Sequence, residues 1–148
     1  MTTIEASEPE SGMNFQQTHR AVVAAALLCI GLCPNGASAS EQFPFGLEMT
    51  LDVAPKPGSK RIPNLEIGDR GEVQLELWCK GGEGQFSVAG NTVVFVAGAM
   101  QDRACAPELA AADDALVAAL SAATNWTRQG DFVSFTGSTP LRFHLNTN

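Results

Sequence analysis

Glu72-Val73-Gln74-Leu75-Glu76-Leu77-Trp78-Cys79 is the stretch that decides the fold. Val73, Leu75, Leu77 and Cys79 fall on one face of an extended chain; Gln74, Glu76 and Trp78 fall on the other. A period of two, apolar on one side and polar on the other, describes a strand with one face buried and one in water. Its last core-side residue is a cysteine, placed as one half of a buried disulfide would be.

Outward from this strand the chain repeats the same kind of signal. Lys80-Gly81-Gly82-Glu83-Gly84 reads as a strand-to-strand connection that needs positive φ. Residues 85–88 and 92–97 flank Ala89-Gly90-Asn91, a hairpin signal. Val93-Val94-Phe95-Val96 is apolar on both faces, which allows burial on both sides. Upstream, residues 63–67 make a short strand and Gly68-Asp69-Arg70-Gly71 a turn. Residues 45–53 alternate loosely and run into a Pro- and Gly-containing loop over 54–61. A last pair, 131–136 and 140–145, is joined by Gly137-Ser138-Thr139, with Leu141, Phe143 and Leu145 inward and Arg142 and His144 outward.

Residues 107–122 read differently. Alanine and leucine dominate, Pro107 suits the first helical position, and Glu108 suits the positive end of a helix dipole. Leu109, Ala112, Leu116, Ala119 and Leu120 form the apolar stripe, which assigns Asp113-Asp114 to the solvated side. Several short strands interrupted by one helix exclude repeated βαβ units. The fold class expected is mainly β: an antiparallel barrel-like or strongly curved sheet with one helix, about 107–122, packed on it.

The N-terminal segment places the protein. An apolar run of 12 residues, 21–32, follows His19-Arg20 and precedes Ala37-Ser38-Ala39. A basic flank, a short apolar stretch and a small-x-small site make a secretory signal peptide over 1–39, cleaved after Ala39. Glu5, Glu8 and Glu10 oppose a basic leader, so Met13 is the expected start. The run is shorter than the roughly 18 residues a membrane helix needs, and no later segment supplies a transmembrane span. The expected location is exported, periplasmic or secreted.

Cleavage leaves residues 40–148 as one β domain with eight basic and thirteen acidic side chains, a net charge of −5. An acidic surface disfavours nucleic acid as a partner. Cleavage also removes Cys29 and Cys33, leaving Cys79 and Cys105 in a compartment where a disulfide persists. A disulfide is the expected state, with two free buried thiols or a metal or redox role as the alternatives. Two thiols and one histidine without a C-x-x-C pair fall short of a tetrahedral metal site. No metal and no cofactor are expected.

Cys79-Lys80-Gly81-Gly82-Glu83-Gly84-Gln85-Phe86 resembles the Cys-Asn-x-x-x-Gly-x-Tyr segment of META/HslJ-like domains, with Cys79 and Gly84 matching and Phe86 at the aromatic position. Gln101-Asp102-Arg103-Ala104-Cys105 is similar to that family's Thr-x-Met-Ala-Cys, retaining Ala104 and Cys105. The following helix, Trp126, the turn at Gly130-Asp131-Phe132 and the closing Leu141-x-Phe143 also fit. Trp78 and Lys80 stand where the family has Gly and Asn, and Gln101 and Arg103 where it has Thr and Met. The resemblance implies a barrel-like domain of secreted or envelope proteins, loosely tied to stress tolerance or secretion, and implies no enzymatic activity.

The residues themselves offer little chemistry. His144, the sole histidine after cleavage, alternates with core residues and faces water; Ser134 lies on the adjacent strand without a nucleophile elbow. Gly81-Gly82-Glu83-Gly84 lacks the Lys-Ser/Thr of a phosphate loop. No catalytic residue is expected. Lys56, Lys60 and Arg61 cluster on the 54–61 loop and are candidates for contact with anionic envelope components. The expected function is a non-catalytic exported domain acting by contact with another envelope or secreted protein. A barrel that binds a small molecule or lipid is the alternative.

Overall fold

The computed structural model describes residues 42–147, apart from 102. The expected leader over 1–39, its start at Met13 and its cleavage after Ala39 lie outside the described residues. Eight strands follow one another: β1 Leu47–Leu51, β2 Asn64–Ile67, β3 Glu72–Glu76, β4 Gly81–Ala89, β5 Thr92–Gln101, β6 Asn125–Gln129, β7 Phe132–Thr136 and β8 Leu141–Leu145. Helix α1, Pro107–Ser121, joins β5 to β6. Every pairing is antiparallel between chain neighbours, and β8 returns to β1 through Met49↔Leu145 and Leu51↔Phe143, closing a barrel. This is the mainly β, one-helix class that the alternation and the helical stretch imply.

Alternation fills the barrel. Met49, Leu65, Val73, Leu75, Phe86, Val93, Phe135, Phe143 and Leu145 point inward and are fully buried. Phe86 and Phe135 stack face to face, with ring centroids 5.3 Å apart. Phe43, ahead of β1, sets its ring 5.4 Å from Phe86 and edge-on to Trp126 at 5.1 Å. Such aromatic contacts add roughly 0.5–1.5 kcal/mol each beyond burial. Among the described residues the interior is packed with side chains.

Two local expectations need correction, and the structure settles two points that the pattern left open. β3 ends at Glu76, where Leu77 donates its backbone N–H to Lys80 O in a tight turn. Alternation stops there, and Trp78, expected outside, is only 8% exposed. The glycines at 81, 82 and 84 lie inside β4 and have no positive φ. What β4 requires is close approach: a Cβ on Gly84 would meet the Phe95 ring at 2.5 Å. Val94 and Val96 are 53% and 61% exposed, so β5 is buried on one side only. Finally, β6 was not foreseen as a strand, and it pairs fully with β7 from Asn125↔Thr136 to Gln129↔Phe132.

The join between β5 and β6 is the weak seam of the barrel. Only Thr92↔Asn125 pairs across it. Helix α1 fills the remaining space, with Leu109, Leu116 and Leu120 buried in the same core as the strands. The hairpin at Gly90 carries the left-handed φ of +60° that its turn needs. Its carbonyl accepts the Trp126 indole N–H at 2.9 Å, tying β6 back to the β4–β5 hairpin.

Candidate functional site

Cys79 and Cys105, both singled out by sequence, meet where α1 approaches the turn after β3. The sequence stripe placed Asp113 in water; the structure buries it completely. One carboxylate oxygen accepts the backbone N–H of Trp78 at 2.9 Å. The other accepts those of Cys79 at 2.9 Å and Lys80 at 2.7 Å. Three successive amides that leave a sheet ladder need acceptors, and the two oxygens of a single side chain serve all three. Asp114, one residue on, faces outward, and its carboxylate takes the Lys80 ammonium at 2.6 Å.

Asp113 was legible in principle. Leu109, Asp113, Leu116 and Leu120 step by four, three and four, which is one face of a helix. A carboxylate in the middle of that face signals a buried acceptor for donors elsewhere in the chain.

The same turn is held covalently. Cys79 and Cys105 form a disulfide with Cα atoms 6.1 Å apart, inside the usual range of about 4.4–6.8 Å. Cys105 lies just ahead of α1, whose first turn has no side-chain cap but carries Pro107 and Glu108. Ala104 sits exposed in that connecting loop, while Gly84 and Phe86 lie further along β4, in the sheet and core. The motif residues therefore serve structure: a covalent bond, a close strand approach and an aromatic stack.

Beside the disulfide, Arg103 grips Glu76 through two contacts, Nη1 to Oε2 at 3.1 Å and Nη2 to Oε1 at 3.3 Å. Arg61 adds a third at 2.8 Å. The hydrogen bonds from Arg103, reinforced by both positive charges, hold the Glu76 carboxyl below its ordinary value, although burial opposes the shift.

The 54–61 loop folds over Trp78. Ser59 Oγ donates to Trp78 O at 3.1 Å, and Lys56 places its ammonium 4.8 Å from the centre of the indole ring. Trp78 divides two clefts. One, of about 410 Å³, is lined by Lys56, Arg142 and apolar residues of β1, α1 and β8. The other, of about 330 Å³, is lined by Lys60, Arg61, Arg103 and the disulfide. The three expected basic residues thus separate: Lys56 faces one cleft, Lys60 and Arg61 the other. The Trp78 indole nitrogen is buried and has no hydrogen-bond acceptor among the described residues.

Elsewhere the polar candidates stand apart. Across the β7–β8 ladder Ser134 opposes Arg142, and His144 opposes Phe132, whose ring lies 5.1 Å away. Among the described residues, no three His, Cys, Asp or Glu side chains converge to hold a metal ion, and no helix is long and apolar enough to cross a membrane.

No curated protein matches the chain. A protein solved by NMR superposes with a TM-score of 0.54 over 71% of this chain and 92% of its own, at 14% sequence identity. That likeness concerns the fold alone. The sequence model of the META domain matches residues 48–146, all eight strands except the first residue of β1, together with the helix. With the disulfide, the glycine of β4 and the helix lying where the motifs place them, the chain belongs to the META domain family.

Proposed function

We propose that this META domain is an exported, non-catalytic module that acts by contact with another envelope or secreted protein. The observation that carries the reading is how its polar side chains are used. Asp113, Lys80, Glu76 and Arg103, the charged groups around the motif cysteines, are all engaged within the domain. They brace a surface and leave no base beside a nucleophile. His144 and Ser134 lie on the outside of β8 and β7 facing other partners. A disulfide that clips the helix to the barrel suits an oxidising compartment, which supports export. Stress tolerance or secretion is the process that the family membership suggests.

Co-purification from an envelope extract tests the proposal, using the exported chain with its disulfide intact. A stoichiometric protein partner retained by the native domain, and lost when the domain is unfolded, is the expected result. Turnover of a substrate by the purified domain, abolished by His144→Ala or Ser134→Ala without unfolding, overturns it.

A further inference from the structure

We propose that the cleft between the 52–56 segment, α1 and β8 binds a medium-chain alkyl carboxylate. The site lies outside the barrel, whose interior is filled by phenylalanine rings. Its volume, about 410 Å³, falls within the usual range of roughly 300–1,000 Å³ for small-molecule sites. Leu51, Val53, Trp78, Leu116 and Leu141 supply large apolar walls. Between them the helix presents Ala112, Ala115 and Ala119, a shallow trough of small side chains suited to a linear chain.

Charge selects the head group. Two cations, Lys56 and Arg142, and one carboxylate, Asp52, border the cleft. Asp52 lies 3.4 Å from Arg142, whose guanidinium also stacks over Phe132. Lys56 has no carboxylate partner among the described ion pairs; its ammonium rests on the face of Trp78. The cleft therefore carries one surplus positive charge within a chain that is net negative. A monoanion on an aliphatic tail matches both features, whereas a dianion exceeds the charge on offer.

Trp78 gives the second, independent sign. Its indole N–H is buried without an acceptor, a state that proteins rarely leave unresolved. Trp78 lines this cleft as well as its neighbour, and an acceptor reaches its buried nitrogen only if the ring shifts.

The test uses the exported, oxidised protein and decanoate below its micelle threshold. The indole N–H signals of Trp78 and Trp126 are followed by ¹⁵N–¹H NMR. The Trp126 indole, which donates to Gly90 O, serves as internal control. A saturable shift of the Trp78 signal alone is expected. Decanol and acetate should each bind at least about tenfold more weakly, and Lys56→Glu, on an exposed loop, should weaken decanoate by a similar factor. Trp78→Phe keeps an aromatic side chain but removes the indole and its donor, and it too should weaken binding. Absence of a saturable shift at millimolar decanoate, equal affinity for decanol, or indifference to Lys56→Glu would each overturn the proposal. None of these results bears on the protein-contact role, which stands or falls on the envelope co-purification.

Discussion

Replacing Asp113 by alanine removes the acceptor for three consecutive amides, and its cost follows from their surroundings. The Trp78 and Cys79 N–H groups are buried, and the Lys80 N–H is partly so. Each buried donor left without an acceptor costs about 1–3 kcal/mol. Water reaches Lys80 and the turn relaxes somewhat, so the loss is about 3–5 kcal/mol in total rather than the full sum. Asn keeps one carbonyl acceptor but turns an amide N–H₂ against backbone donors, for a loss of about 2–3 kcal/mol. The neighbouring Asp114→Ala breaks a pair whose carboxylate is 66% exposed, and such pairs are worth at most about 1 kcal/mol. Urea unfolding of the oxidised protein measures all three as a lowered midpoint at constant slope. For a domain of this size the alanine variant of Asp113 should also melt at least 12 °C lower, at about 4–8 °C per kcal/mol. A cost below about 1 kcal/mol for Asp113→Ala, or an equal cost for Asp114→Ala, refutes the claim that this carboxylate anchors the turn.

Cys79→Ser or Cys105→Ser should lower stability by about 2–4 kcal/mol, and thiol titration of the native protein should find neither cysteine reactive before reduction. Gly84→Ala drives a methyl into the Phe95 ring and should cost about 1–3 kcal/mol. Gly90→Ala meets open space, so its calorimetric loss should be limited to the left-handed backbone penalty of about 1–2 kcal/mol. Glu76 has a folded pKa below its ordinary 4.5, so its ion pairs stabilise the protein above that value and are lost as pH falls through the lower folded value. Acid titration of stability should show that component in the wild type and lose it in Glu76→Gln, within about 1 kcal/mol because the pair is exposed.

The barrel was legible because strand alternation is a local signal. Val73, Leu75, Phe143 and Leu145 declare their inward face from sequence alone, and the register only confirms it. The β6 strand was not legible. Asn125-Trp126-Thr127-Arg128-Gln129 has one apolar residue in five, so nothing in its pattern separates it from a loop. It is a strand because β7 pairs along its whole length and because Trp126 reaches the aromatic cluster. The glycines of β4 misled for a related reason. Clustered glycine suggests left-handed turns, but here the demand comes from Phe95 on the neighbouring strand, a contact that sequence spacing does not display.

Several departures from local rules gather around the turn after β3. Alternation calls for Trp78 outside, and it turns in; the helix stripe leaves Asp113 in water, and it is buried. A buried indole N–H lacks an acceptor, and a lysine sits on an aromatic face instead of an acid. Each departure has a cost, and scattered costs of this kind would simply weaken the fold. Their concentration around one turn, covalently tied to the helix, means that the rest of the barrel supports an arrangement its own packing does not require. The aromatic interior closes without Trp78, since Phe43, Phe86, Phe135 and Trp126 already fill it. The indole at position 78, its backbone held by Asp113 and the neighbouring disulfide, walls the cleft outside the barrel in which the anionic ligand is proposed to bind.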